Sequence, residues 1–173
     1  MRPSSGVVRR IAGISFLQAT GLVIAYYVMP INYSQRPPAL QVVLGLVILV
    51  VVLAWQVRGV MRAESRLYRG MVSLGFAIPL LIVVYASVYL TLSTSDTASF
   101  SEELGRTDAL YFTMTTLATV GYGDISPTSS LARITAMTQM VANVLVIGLA
   151  VRVLGHMASD YFSPQPVDDS QER

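Results

Sequence analysis

Residues 119–124, which read Thr-Val-Gly-Tyr-Gly-Asp, are the stretch whose residue types and spacing suggest a specific chemistry. Two glycines separated by one residue permit backbone angles that other residues resist. Such a loop can turn successive carbonyl oxygens toward one axis, and several copies around that axis could replace the water shell of a cation. The alternative is a glycine-rich turn at a helix end. The apolar runs on both sides favour the cation-binding loop.

These six residues resemble the selectivity filter of the potassium-channel family, whose members line the pore with four TVGYG loops. The resemblance covers roughly residues 71–157. It implies that backbone carbonyls and the Thr119 hydroxyl bind K⁺, and that Tyr122 points away from the pore and favours K⁺ over Na⁺. The expected K⁺-binding residues are Thr119, Val120, Gly121, Tyr122 and Gly123.

The resemblance also implies residues that support the filter. Tyr111 and Phe112 stand where relatives carry an aromatic pair that braces the filter, although ordinary packing explains them equally well. Asp124 lies at the outer mouth of the expected pore. Thr115 stands where some relatives carry an acid that interacts with this aspartate, so the resemblance does not imply a family-like slow closure of the filter.

The composition is typical of an integral membrane protein. Of the 173 residues, 53% are hydrophobic and only 13% are charged, whereas soluble domains usually carry about a quarter charged residues. The net charge of +2 is too small to indicate a nucleic-acid partner. The chain contains no cysteine, which excludes disulfides and thiol catalysis.

Four apolar runs predict four transmembrane helices, because a bilayer core needs about 20 helical residues. They cover residues 11–29, 40–57, 71–92 and 130–155. Residues 107–118 are too short to span, and Thr107 and Asp108 are suited to the start of a helix there. The sequence therefore predicts an all-α membrane protein, with a re-entrant pore helix and filter loop between the third and fourth transmembrane helices.

The distribution of arginine predicts the orientation. Three arginines lie in residues 1–10 and four in residues 58–69, which places both segments and both termini in the cytoplasm and the filter loop outside. The expected location is the plasma membrane. The predicted parts are the cytoplasmic N-terminus (1–10), a two-span helical hairpin (11–57), a basic linker (58–69), the pore domain (70–157) and a disordered cytoplasmic tail (158–173).

The last apolar run carries an unusual set of polar residues. Thr135, Thr138, Gln139 and Asn143 could serve function or form hydrogen bonds between helices, and the sequence leaves both interpretations open. Asn143 stands where many relatives have a hinge glycine, and Gly148 is the next candidate for a bend. These two residues are the candidates for an inner-helix cavity or gate.

Arginines that recur every three or four residues predict an interfacial cytoplasmic helix that contacts anionic lipid. They are Arg58, Arg62, Arg66 and Arg69. A voltage sensor of the usual kind is not expected, because the first two apolar runs contain no arginine.

The predicted function is passive, potassium-selective permeation through a homotetrameric pore, because one chain supplies one filter loop and the resemblance implies a ring of four. No cofactor is expected beyond the permeant K⁺ ions. The alternatives are a non-selective cation channel and a non-conducting modulatory membrane subunit. An enzyme is not expected, since the sequence shows no catalytic triad, metal-ligand cluster or phosphate-binding loop.

Overall fold

The computed structural model describes residues 5–28, 37–61 and 66–162. These residues form five α-helices, with a short 3₁₀ helix, Thr97–Ser99, between the third and the fourth. The helices are α1 (Ser5–Val28), α2 (Pro38–Met61), α3 (Arg66–Ser95), α4 (Arg106–Leu117) and α5 (Ser130–Phe162). The predicted all-helical architecture is confirmed.

Helix α3 is the centre of the fold, because α1, α2, α4 and α5 all pack against it. Its side chains Leu81, Tyr85, Tyr89 and Leu92 are fully buried and form the core together with residues of the other helices. Pro79 lies inside α3 without ending it, as membrane helices tolerate.

Two glycines allow α1 and α2 to approach α3 closely. A Cβ atom added at Gly75 of α3 would lie 2.7 Å from the Cβ atom of Ser15 in α1 and would also overlap its hydroxyl. A Cβ atom added at Gly45 of α2 would lie 3.1 Å from Val88 Cγ2 in α3. At both positions the neighbouring helix can approach the glycine backbone closely because glycine has no side chain.

Within the described residues, two stretches are long and apolar enough to cross a membrane, Gly75–Ser95 and Ser130–Arg152. The apolar stretches of the first two helices are shorter, at Ala12–Val28 and Val42–Val52. The structure therefore agrees with a helical membrane protein, while the number of four spans stays a prediction.

Two helix boundaries differ from the sequence-based expectation. Arg58 lies in the last turn of α2, whereas Arg66 and Arg69 lie at the start of α3, so these arginines do not share one separate interfacial helix. Arg62 lies outside the described residues. Because α2 and α3 pack against each other, Arg58 belongs to the end of one helix, and Arg66 and Arg69 belong to the start of the next.

Helix α5 continues to Phe162 and so extends into the segment that was expected to be a disordered tail. No proline interrupts it. Residues 163–173 of the predicted tail lie outside the described residues.

Candidate functional site

Helix α4 begins one residue earlier than predicted, and its cap is Gly105 instead of Thr107. The Gly105 N–H donates a hydrogen bond of 2.9 Å to Asp108 Oδ2, in the first turn where the negative charge was expected. The hydroxyl of Thr107 lies instead 3.2 Å from that of Tyr27 in α1. Thr107 is too far inside the helix to cap it, because Arg106 already has helical backbone.

The loop that follows α4 has left-handed backbone at alternate residues. The φ angles are +58° at Thr119, +53° at Gly121 and +81° at Gly123, whereas Val120 and Tyr122 do not have positive φ. Glycine adopts this conformation without steric cost. A β-branched threonine rarely does, so Thr119 is an exception that the glycine pattern alone could not predict.

The backbone of α4 holds this loop from one side. The carbonyl oxygen of Thr115 accepts hydrogen bonds from Val120 N at 3.0 Å and from Gly121 N at 3.4 Å. The Thr119 N–H donates to Thr116 O at 3.2 Å. The hydroxyl of Thr115 turns back to Phe112 O in its own helix. Thr115 therefore contacts the loop through its backbone carbonyl. The identity of its side chain could not predict this contact.

A tyrosine–aspartate pair holds the other end of the loop. The Tyr111 hydroxyl donates a hydrogen bond of 2.7 Å to Asp124 Oδ2, and Ile125 N donates to Asp124 Oδ1 at 3.0 Å. The hydrogen bond from Tyr111 is the largest cause that lowers the pKa of Asp124 below its ordinary value of 3.8. Both side chains are exposed, so solvent moderates the strength of this pair.

The aromatic residues of the site have different surroundings. The rings of Tyr111 and Tyr122 are stacked in parallel, with 6.5 Å between their centroids. Phe112 is buried and packs edge-on against Tyr89 of α3, at 4.9 Å, and against Phe100. Of the predicted aromatic pair, Tyr111 therefore contacts the loop, whereas Phe112 belongs to the core.

The chain between α3 and α4 fastens the segment that follows the loop. Ser101 N donates to Ser126 O at 2.9 Å, and Thr128 N donates to Ser99 O at the same distance. The Ser101 hydroxyl lies 3.3 Å from Asp124 O, to which it donates. Loop residues 119–124 are thus fixed at both ends.

The polar residues of α5 form hydrogen bonds between helices. Gln139 accepts from the Tyr89 hydroxyl at 2.6 Å and donates to Thr113 O in α4 at 3.0 Å. One turn further, Asn143 Nδ2 donates to Thr116 O at 3.2 Å. In the described part of the chain, the buried Asn143 Oδ1 has no hydrogen-bond partner.

The predicted site residues divide into two groups. Residues 119–124, Tyr111 and the Thr115 backbone lie together, and Asn143 contacts α4 close to them. Gly148 lies on an exposed part of α5, where a Cβ atom would meet nothing within 4 Å. The two residues proposed as a hinge or gate therefore have unlike surroundings.

Comparison with known proteins agrees with a membrane channel. The family model described as "Ion channel" matches residues 77–160, which include α4, the loop and most of α5. The calcium-gated potassium channel TvoK of Thermoplasma volcanium is 41% identical over 68 residues, which are 39% of this chain and 20% of that protein. No solved structure matches significantly.

Two plant proteins are also similar. Two-pore potassium channel 1 of Arabidopsis thaliana is 34% identical over 73 residues, or 39% of this chain and 20% of that protein. Two-pore potassium channel 4 of the same plant is 32% identical over 91 residues, or 49% of this chain and 32% of that protein. The matches therefore span a fifth to a third of the length of these relatives.

The fold and these matches are consistent with a helical membrane channel. Residues 77–160, just under half of the chain, match the ion-channel family model, and the curated relatives named above are potassium channels. The resemblance to the potassium-channel family is thereby confirmed. This family and these relatives are channels and not enzymes.

Proposed function

We propose that this chain is the subunit of a potassium-selective channel, through which K⁺ passes passively in a homotetrameric pore without a usual voltage sensor. The observation that carries the proposal is the alternation of backbone hand along residues 119–123. Alternation of positive and non-positive φ can turn successive carbonyl oxygens to the same side, and rings of such carbonyls replace the hydration shell of K⁺ in selectivity filters.

The hydrogen bonds of the loop support this assignment. Its N–H groups at Val120 and Gly121 face the Thr115 carbonyl, which leaves the opposite side of the loop for its carbonyl oxygens. Val120 and Tyr122 are 53% and 72% exposed in the single chain. One chain supplies one such loop, and four of them around an axis would replace the hydration shell of K⁺.

Helix α4 adds an electrostatic contribution. Its C-terminal end lies at the loop, and this end of a helix carries a partial negative charge. That charge would stabilise a cation in a water-filled cavity beneath the filter. Asp108 at the opposite end of α4 fits the same dipole.

The packing of α1 supports four spans. Helix α1 has 24 residues, so it is about 36 Å long, which exceeds the bilayer core of about 30 Å. It contacts Gly75 of α3 through Ser15 and the start of α4 through Tyr26. It therefore runs along most of α3, which is itself a candidate span.

In this proposal the membrane is the plasma membrane and both termini are cytoplasmic, as the arginine distribution predicts. Arg58 is exposed at the end of α2. Together with the neighbouring arginines of the 58–69 segment it would face the anionic cytoplasmic leaflet. No cofactor takes part beyond the permeant ions.

The test compares two glycine-to-alanine variants in liposomes loaded with K⁺. Gly121→Ala places a side chain on a residue with φ of +53°, so it strains the loop. Gly21→Ala adds the same methyl group on α1, where nothing lies within 4 Å and the backbone is helical. We expect selective K⁺ flux from the wild type and from Gly21→Ala, and its loss in Gly121→Ala. Wild-type selectivity in Gly121→Ala would contradict the assignment of the filter.

A further inference from the structure

The C-terminal end of α1 is bonded to the first turn of α4, although these segments are 80 residues apart in the chain. The Tyr26 hydroxyl donates a hydrogen bond of 2.8 Å to Arg106 O. In return, the Arg106 guanidinium donates to Tyr26 O. Tyr27 and Thr107 add a hydroxyl contact of 3.2 Å. The side chains of Tyr26 and Arg106 thus each bind the backbone of the other helix.

Among the residues of α1 whose burial the structure describes, Tyr26 is the buried one. Phe16, Leu17 and Val28 are each more than 70% exposed, whereas Tyr26 is 3% exposed. The Arg106 guanidinium carbon lies 5.9 Å from the centroid of the Tyr26 ring, within the range of a cation–π interaction. This contact therefore fixes the C-terminal end of α1 to the start of α4.

Helix α4 connects this contact with the loop. It has 12 residues and is about 18 Å long. Its first turn contains Arg106 and Thr107, and its last turns supply the Thr115 carbonyl that accepts from Val120 and Gly121. A displacement of the start of α4 therefore moves the acceptor that fixes the loop, through one continuous set of contacts.

We infer that Tyr26 and Arg106 are positioning residues for ion selectivity, through which the first helix sets the position of α4 and thereby the spacing of the filter carbonyls. This inference rests on the proposed function. It assigns a role to α1, which lies outside the part of the chain matched by the ion-channel family.

Two variants separate the contributions of the pair. Tyr26→Phe removes the hydroxyl that donates to Arg106 O and keeps the ring beside the guanidinium. Arg106→Gln removes the guanidinium and its hydrogen bond to Tyr26 O. In purified, reconstituted channels, we expect each variant to lower the K⁺-to-Na⁺ permeability ratio about fivefold, the scale of one hydrogen bond.

The control variants match the chemistry without touching the contact between α1 and α4. Tyr85→Phe removes another buried tyrosine hydroxyl, which bonds Thr138 of α5 at 3.3 Å. Arg152→Gln removes the same charge from an exposed position of α5. We expect the permeability ratio of both controls to stay within about twofold of the wild type, well below the scale of one hydrogen bond.

A second measurement does not depend on ion conduction. Hydrogen exchange of the α4 amides should be faster in Tyr26→Phe than in wild type, and unchanged in Tyr85→Phe. If the wild type conducts K⁺ selectively but neither Tyr26→Phe nor Arg106→Gln alters the ratio, the inference is wrong while the proposed function stands. If the wild type conducts no K⁺, the proposed function fails. Independently of conduction, α4 amides that exchange at the wild-type rate in Tyr26→Phe would overturn the positioning role.

Discussion

At the scale of single residues, Thr119 shows how strongly the loop is determined by its surroundings. A threonine with φ of +58° is unfavourable by itself and persists only where neighbouring structure fixes it. The hydrogen bond from its N–H to Thr116 O supplies part of this constraint. The motif predicted unusual backbone angles at the two glycines. It did not predict a positive φ at Thr119, because β-branched residues rarely adopt one.

The Tyr111–Asp124 pair predicts a pH dependence. The hydrogen bond from Tyr111 lowers the pKa of Asp124, so this carboxylate loses its charge at a lower pH than an ordinary aspartate. The stabilisation of the loop by ionised Asp124 is fully present above the pKa that this group has in the unfolded chain. It is lost as the pH falls through the lower pKa that Asp124 has in the folded protein. We therefore expect K⁺ flux to persist on mild acidification and to fall only below the ordinary pKa of aspartate.

The variant Tyr111→Phe should move that loss of flux to higher pH, because it removes the largest cause that lowers the pKa of Asp124. The pH of half-maximal flux in liposomes measures the shift. Tyr85→Phe, which leaves Asp124 untouched, should keep the wild-type midpoint. An identical midpoint in Tyr111→Phe and wild type would show that the pair does not hold the loop.

At the scale of helices, α4 and α5 are joined by the amide side chains of α5. The sequence identified these polar residues but did not predict the groups to which they form hydrogen bonds. Periodicity shows that Gln139 and Asn143 lie one turn apart. It does not show that they reach Thr113 and Thr116 of α4. The sequence therefore left open whether these residues serve function or packing, and the structure brings them to the backbone that supports the loop.

These two residues should differ in their effect on stability. Gln139→Leu leaves the buried Tyr89 hydroxyl without its acceptor, which costs about 1–3 kcal/mol. Asn143→Leu loses one hydrogen bond but also removes the buried, unpaired Oδ1, so its cost should be smaller. Thermal unfolding of the purified protein in detergent measures both. A larger loss for Asn143→Leu would contradict the hydrogen bonds described here.

The crossing of α1 and α3 allows a compensation experiment. Gly75→Ala would place its methyl group 2.7 Å from Ser15 Cβ and should destabilise the protein by about 1–3 kcal/mol, the usual cost of overpacking. Adding Ser15→Gly removes the obstructing atoms, and the next neighbour, Ser15 Cα, is then 3.7 Å away. The double variant should recover most of the lost stability.

The control for this experiment is Gly13→Ala, on the same helix as Ser15, where a methyl group meets nothing within 4 Å. It should be neutral or stabilising, because alanine is a better helix former than glycine. Thermal unfolding again gives the readout. If Ser15→Gly fails to restore Gly75→Ala, the close packing of α1 on α3 is wrong.

At the scale of the whole molecule, the sequence predicted the helix order well and the contacts between distant helices poorly. Apolar runs predicted α1, α2, α3 and α5, and a shorter run that begins with residues suited to a helix start predicted α4. In contrast, the bond between Tyr26 and Arg106 joins residues that no local pattern relates. Hydropathy indicates that a helix is apolar, but it does not select the neighbour of each face.

The four-span topology can be tested with single cysteines, because the chain has none of its own. In the proposed topology, the exposed Pro37 between α1 and α2 lies outside, with Glu103. In the same proposed topology, Arg58 lies in the cytoplasm. A membrane-impermeant thiol reagent applied to intact cells should therefore label Pro37→Cys and Glu103→Cys.

The same reagent should label Arg58→Cys only after the membrane is permeabilised. Glu103→Cys serves as the outer reference and Arg58→Cys as the inner one. If Pro37→Cys behaves like Arg58→Cys while Glu103→Cys is labelled from outside, then α2 does not cross the membrane, and the four-span topology is wrong.

The central claim is that the loop at residues 119–124 forms a potassium-selective pore in an assembly of this chain alone. The most direct test is a bilayer recording of the purified protein, with K⁺ on one side and Na⁺ on the other. A reversal potential close to the K⁺ equilibrium value is the predicted result. A robust current that reverses near zero would contradict selectivity and indicate a non-selective cation channel.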